Sequence, residues 1–203
     1  MKVYIVGGAM QYKNFIYDSE IVLNIKDADL VVFTGGADVN PGLYNCIPNV
    51  KSYFNIQRDE YEIIKFEEAL MLGKNMVGVC RGSQLLTIMA GGKLIQHVNN
   101  HSLHYTHNIS FNGERREITS THHQMMYPFD MKASKYEIIA HSDGNRSDVY
   151  EFEPGVIKTS IQCEPEIVYY PEIKALAIQG HPEDMNTKSD TVMDINILLQ
   201  NIY

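Results

Sequence analysis

Short runs of consecutive apolar residues alternate with amphipathic stretches along most of the chain. Val3 to Val6 predicts a first strand, ended by Gly7-Gly8, and Leu30 to Phe33 a second. Unbroken apolar runs of this length suit parallel strands buried on both faces. Residues 9–27 carry aromatic and apolar positions without a sustained helical period. Residues 35–50 are rich in Gly, Pro and Asn and predict a loop. From Arg58 to Leu72 the period lengthens: Ile63, Phe66 and Leu70 recur at spacings of three and four, with Glu60, Lys65, Glu67 and Glu68 at polar positions. That spacing predicts a helix.

Met76 to Val79 predicts another strand, and Gly82 to Met89 a helix stopped by Gly91-Gly92. Residues 115–119, 136–141, 149–152 and 166–170 read as short strands between turns, a small antiparallel extension. Ala175 to Ile178 predicts a last buried strand, and residues 189–201 a closing helix with Val192, Ile195 and Leu199 on one face. Strand and helix in alternation imply an α/β fold, a three-layer sandwich around a mainly parallel sheet. With no repeat, linker or low-complexity run, residues 1–203 read as one domain.

The formal charge of −8 argues against a continuous nucleic-acid surface, which needs concentrated Lys and Arg. A hydrophobic content of 44 % supplies a core and excludes wholesale disorder. Three scattered cysteines, Cys46, Cys80 and Cys163, form neither a disulfide framework nor a zinc knuckle. Together with an amino terminus unlike a signal peptide and no membrane-spanning run, they point to a reducing, cytoplasmic compartment. The N-x-S matches at Asn108 and Asn145 are then coincidental.

The sharpest local signal is GVCRGSQ, residues 78–84, where Gly78 and Gly82 flank Cys80 at two positions on either side. This is the pattern of a nucleophile elbow, a reactive side chain on a tight turn between buried strand and helix. A thiol at a helix amino terminus also feels the dipole and free backbone donors that favour the thiolate. A buried core cysteine would be followed by apolar residues rather than by Arg81, Ser83 and Gln84. The nucleophile needs a base and a group to orient it. QGHPED, residues 179–184, follows the last buried strand, which puts His181 at a strand's carboxyl end with Glu183 two residues on. TGGADVNPGLY, residues 34–44, ends the second strand, and its glycines can bring a backbone N–H up to a developing oxyanion, with the amide of Arg81 as the second donor.

Four histidines, His97, His101, His104 and His107, crowd one stretch. Helical geometry would gather the first three as a metal site might, but Asn99, Asn100 and Ser102 within the stretch predict a polar loop, with no metal. His122 and His123 either line the pocket or sit in a solvated turn. No cofactor motif is present.

The sequence resembles class I glutamine amidotransferases, and within them the peptidase C26-like branch containing γ-glutamyl-γ-aminobutyrate hydrolases. The segments that carry the resemblance are TGGADVNPGLY (34–44), RDEYE (58–62), GVCRGSQLL (78–86), GGKLIQHV (91–98), TSTHHQ (119–124), HSDG (141–144) and QGHPE (179–183), in family order over almost the whole chain. The resemblance implies the flavodoxin-like fold of that family and a Cys80–His181–Glu183 triad, with Gly36 and Arg81 amides as the oxyanion hole. It places Gln84 and the backbone around Ser120, Thr121 and His122 on the glutamyl group, with Arg58 and Asp59 shaping the pocket. The chain departs from the pattern at Thr119, where the family has asparagine, at His97, where an acidic residue is common, and in an abridged unit before the TGG segment. Two reactions share this half-reaction. One is a glutaminase that gives glutamate and ammonia to a partner synthetase, towards which the abridged amino-terminal unit leans. The other is a stand-alone γ-glutamyl amide hydrolase, favoured by RDEYE and GGADVNP. A silent binding or regulatory module is the non-enzymatic alternative, although all three triad residues are present. The small-molecule substrate is glutamine or a γ-glutamyl amide, with no nucleic-acid or membrane partner.

Overall fold

The computed structural model describes residues 1–202, apart from the side chains of Leu103 and His104. The first strand, β1 (Lys2–Ile5), is followed by β2 (Glu20–Ile21), β3 (Leu30–Phe33), helix α1 (Ile56–Met71), β4 (Asn75–Val79) and helix α2 (Arg81–Met89). Then come β5 (Lys93–Ile95), β6 (His97–Val98), β7 (Ser102–Phe111), β8 (Glu114–Thr121), β9 (Met125–Tyr127) and β10 (Glu137–Ser142). The chain closes through β11 (Tyr150–Glu153), β12 (Val156–Lys158), β13 (Pro165–Tyr170), β14 (Ala175–Ile178) and helix α3 (Asp190–Ile202). Between β1 and β3 the connections carry only 3-10 turns, at Met10–Lys13 and Ile25–Asp27.

The central sheet has nine strands in the order β2-β1-β3-β4-β14-β13-β10-β7-β8. It is not mainly parallel. The four pairings from β2 to β14 are parallel and the four from β14 to β8 antiparallel. The antiparallel part is thus half the sheet rather than a small extension. Connection length explains the change, because a parallel pair needs a crossover of a dozen or more residues. Only Asn112-Gly113 separates β7 from β8, both with positive φ, and a 3-10 turn at Pro171–Ile173 joins β13 to β14. Chains that short can only reverse direction.

The two sheet faces are covered separately, as a three-layer sandwich requires. On one face Val3, Leu30, Val32, Val77 and Ile178 pack with Val192, Ile195 and Leu199 of α3. On the other Val31, Phe33, Met76 and Ala177 pack with Phe66 and Ala69 of α1 and with Leu85 and Leu86 of α2. Helix α1 starts where Asn55 accepts a hydrogen bond from the Arg58 N–H at 3.0 Å, an N-cap. The segment expected as a polar loop around residues 97–107 is instead β6 and most of β7. His104, one of the histidines noted there, has a side chain outside the described residues. Two smaller sheets, β12-β11-β6 and β5-β9, enclose Ile95, Val98, Met125, Tyr127 and Tyr150. Among the described residues no helix is long and apolar enough to cross a membrane.

Candidate active site

Cys80 lies between β4 and α2 with φ 51° and ψ −108°, a left-handed conformation that a residue with a Cβ adopts only at a cost. Its flanking glycines are required by close approach. A Cβ on Gly78 would stand 2.4 Å from the Gly82 carbonyl oxygen, and one on Gly82 would stand 2.2 Å from that of Phe33. Strand, turn and helix therefore touch through backbone, and the turn can be sharp. Cys80 is 8 % exposed, at the amino terminus of a nine-residue helix.

His181 follows β14, the strand beside β4, so both residues sit at the same end of adjacent parallel strands. Its Nδ1 lies 2.8 Å from Glu183 Oε1. Burial alone would lower the imidazole, and hydrogen bonding to the Cys80 and Glu183 side chains outweighs it, so His181 is pushed up to about 10. The His181 backbone is held by Thr119, whose hydroxyl accepts from the His181 backbone N–H at 2.8 Å and donates to the His181 carbonyl at 3.1 Å.

The TGG turn closes over this pair. A Cβ on Gly35 would lie 3.1 Å from His181 Cε1 and 3.5 Å from Cys80 Cβ. The Gly35 N–H is committed to the Tyr12 hydroxyl at 2.8 Å. Burial, then the neighbouring Glu183, push the Tyr12 phenol well above its ordinary value, so it stays neutral. Gly36, next in the turn, has φ 140°, and a Cβ there would meet Arg58 Nη1 at 2.1 Å. Only glycine fits on both counts.

Behind the turn is a buried charge network. Arg58 Nη2 donates to the carbonyls of Gly35 (2.8 Å) and Thr34 (3.2 Å), and its Nε pairs with Glu62 at 2.8 Å. Arg81, 1 % exposed, pairs with Asp59 and Glu62. Burial and the charge of Arg58 lower its guanidinium to about 10, which leaves it charged at neutral pH. Asp59 Oδ2 also accepts from the Asn40 N–H at 3.2 Å. Arg58 and Asp59, expected at the substrate pocket, thus use these bonds to fasten the turn to α1 and the elbow.

Gln84 and His122 meet on one backbone atom. Gln84 Nε2 donates to the Gln124 carbonyl at 3.1 Å, and His122 Nδ1 lies 2.8 Å from the same oxygen. Burial and the neighbouring His101 hold His122 well below its usual value. Ser120 is buried and donates to the His101 carbonyl at 2.6 Å, whereas Thr121 is exposed. Sequence reasoning missed Tyr12, which has no motif, and Glu62, whose spacing of four from Arg58 was the available signal.

A small thiol, an imidazole held by a carboxylate, and a glycine turn tied down beside them form the equipment of acyl transfer. The sequence model of the family described as Peptidase C26 matches residues 16–183. The chain belongs to that family. YvdE of Lactococcus lactis subsp. lactis, named as a glutamine amidotransferase-like protein, is 32 % identical over 174 residues, 73 % of this chain and 72 % of that protein. Four further relatives match over only 22 % to 42 % of their own lengths. Among solved structures, the glutaminase domain of Trypanosoma brucei CTPS with bound acivicin aligns with a TM-score of 0.59 at 12 % identity, covering 97 % of this chain and 91 % of that one. A glutamine amidotransferase from Thermotoga maritima aligns with a TM-score of 0.56 at 13 % identity over 100 % and 94 %. These two likenesses establish the class I amidotransferase-like α/β fold.

Proposed function

We propose that this chain hydrolyses the γ-amide of glutamine through Cys80 and delivers the ammonia to a separate synthetase. The observation that carries the reading is the elbow cysteine beside a His181–Glu183 pair whose atoms are 2.8 Å apart. Cys80 Sγ, as thiolate, attacks the amide carbon, and the carbonyl electrons move onto oxygen. The N–H groups of Gly36 and Arg81 receive that oxyanion; the Gly35 amide is already spent on Tyr12. His181, which holds its proton at neutral pH, gives it to the departing nitrogen as the C–N bond breaks. The thioester is cleaved by water, whose proton His181 takes, and glutamate leaves as the thiolate is restored. Glu183 keeps the ring in place and balances its charge. Gln84 and the backbone around Ser120 to His122 hold the glutamyl group, and Arg58 and Asp59 act by fastening the turn. No cofactor enters these steps. The free cysteines Cys46, Cys80 and Cys163 suit a reducing cytoplasm.

Membership in a family described as a peptidase favours a second reading, a stand-alone hydrolase of γ-glutamyl amides. One assay separates the two: release of glutamate and amine from L-glutamine and from a panel of γ-glutamyl amines, with Cys80→Ala as control. Slow glutamine turnover, with Cys80 labelled by a glutamine-like electrophile, supports a glutaminase awaiting its partner. Fast partner-free turnover of one γ-glutamyl amine selects the hydrolase. Turnover unchanged in Cys80→Ala overturns both.

A further inference from the structure

The histidines of the 97–107 segment and of the turn after β8 form a cluster that the thiol chemistry does not use. His101, just before β7, His107 within β7 and His122 after β8 come together with Glu164 and Glu166 of the β13 region, across β10 in the sheet. The His101 ring lies 4.8 Å from that of His122 and 5.8 Å from that of His107, centroid to centroid. All five side chains are buried.

The hydrogen bonds leave a particular set of atoms over. His122 Nδ1 faces the Gln124 carbonyl, which only accepts, so Nδ1 carries the proton and Nε2 presents a lone pair. Glu166 Oε1 is held by His107 Nε2 at 2.8 Å. His122 Nε2 and Glu166 Oε2 are fully buried and have no hydrogen-bond partner among the described residues. His101 Nε2 faces Glu164 Oε2 at 3.2 Å. Glu164 is already supplied by the Ser147 and Arg146 amides and the Tyr150 hydroxyl. A ring nitrogen of His101, one of His122 and a carboxylate oxygen of Glu166 all lie within 4.8 Å of one another. Unpartnered buried acceptors are destabilising, and the two in this cluster, His122 Nε2 and Glu166 Oε2, would be satisfied by something positive held among the three residues.

We propose that His101, His122 and Glu166 bind a divalent transition-metal ion, with Zn²⁺ the ion best matched to two imidazoles and one carboxylate. The supporting contacts are those that metal ligands use. His122 has its tautomer fixed by a backbone carbonyl, and Glu166 has its second oxygen held by a neighbouring donor. Tetrahedral ligation at about 2.1 Å places ligand atoms about 3.4 Å apart, so the side chains close on the ion by about an ångström. The ion ties β7, the turn after β8 and β13 together. It thereby fixes the Gln124 carbonyl to which Gln84, one turn from Cys80, is bonded. This inference does not rest on the proposed amidase reaction.

The test is cobalt substitution during folding, which needs no entry path into a closed site. The Cys80→Ala chain, which removes the competing thiol, is expressed in zinc-poor medium supplemented with Co²⁺. One cobalt per chain is expected, with the visible bands of four-coordinate Co²⁺. Glu166→Gln and His122→Gln should each lose ion and bands. His107→Gln should bind about 10- to 100-fold more weakly. Glu183→Gln should retain both, because His181, Glu183 and Asp184 form a second group with ligand-like spacing that must be told apart. Folded protein without stoichiometric cobalt overturns the proposal, as do bands that survive Glu166→Gln or vanish in Glu183→Gln. Should the Glu166 and His122 variants fail to fold, the chain carrying Cys80→Ala and Glu183→Gln, which disables the competing groups, decides through its zinc content and melting temperature. Zinc-free protein whose melting is the same when expressed with or without Zn²⁺ overturns the proposal; one zinc per chain and a raised melting temperature support it.

Discussion

Two sets of titratable side chains, all buried except the half-buried Arg58, lie near the turn at Cys80, and they are built on different plans. The first, Arg58, Asp59, Glu62 and Arg81, has two cations and two carboxylates, and each charge faces an opposite one. The second, His101, His107, His122, Glu164 and Glu166, leaves a lone pair on His122 and an oxygen on Glu166 without partners. Charges that compensate one another hold two pieces of backbone in register and have little capacity left for anything else. A set with acceptors left over can take up a proton donor or a cation. Burial alone does not separate a fastening from a binding site; the kind of atom left over does, a donor (Arg81 Nε) in the first set and acceptors in the second.

Breaking the first set should have the largest effect on stability. Arg81→Met leaves Asp59 and Glu62, each 2 % exposed, without the cation they share. Removing one partner of a buried ion pair costs about 3–5 kcal/mol. Urea unfolding at neutral pH should register a loss of that size. Combining Arg81→Met with Asp59→Asn and Glu62→Gln should recover part of it, since no uncompensated carboxylate then remains. A loss below about 1 kcal/mol in the single variant would mean that the network is a surface-like pairing despite its burial.

The second set is probed best by acid. Burial would raise Glu164, but His101 and the amides of Ser147 and Arg146 outweigh it and hold the carboxyl down at about 2, against an ordinary 4.5. The folded chain therefore binds this proton more weakly than the unfolded chain. The resulting stability is fully present above pH 4.5 and disappears as the pH falls through about 2. The whole contribution is about 3 kcal/mol, of which about 2 kcal/mol should be gone by pH 3. Unfolding free energies at pH 7 and pH 3 should fall more for the unmodified chain than for Glu164→Gln, by about that difference. Parallel falls in the two chains would remove Glu164 as the source.

The two halves of the sheet were unequally legible. Leu30–Phe33 and Ala175–Ile178 were read to the residue because strands buried on both faces have nothing but apolar side chains to show. The tight turn at Cys80 was legible for a similar reason: a backbone that close tolerates only glycine at residues 78 and 82. β7 was hidden. Its buried positions alternate through His107, Ile109 and Phe111, so a histidine stands where the period demands an apolar residue. The pairing of His107 with Glu166, 59 residues away, makes that burial affordable, and nothing local announces it. Asn112-Gly113 was the local signal for the hairpin that follows. Near the candidate site, Arg81 was expected to contribute a backbone amide, while its side chain proved to be the centre of the ion network. Such long-range polar partners are a property of the fold, and single-sequence periodicity does not contain them.

The smallest expected effect sits where the antiparallel half reaches the proposed triad. Thr119, near the end of β8, uses one hydroxyl to satisfy both the N–H and the carbonyl of His181. Thr119→Val keeps the shape and removes the hydroxyl, so the His181 N–H must find water or go without, while the carbonyl keeps the Asp184 N–H at 3.2 Å. His181 is only partly buried, which limits the cost to about 1 kcal/mol. The consequence for turnover should exceed that for folding in visibility, because a ring that drifts by a fraction of an ångström meets Cys80 and the departing nitrogen less well. An approximately tenfold fall in kcat is expected, equivalent to about 1.4 kcal/mol, with KM little changed. Thr119→Ser should restore most of it by returning the hydroxyl. If serine rescued nothing, or if Thr119→Val raised KM and left kcat alone, Thr119 would be acting on the substrate pocket rather than through His181.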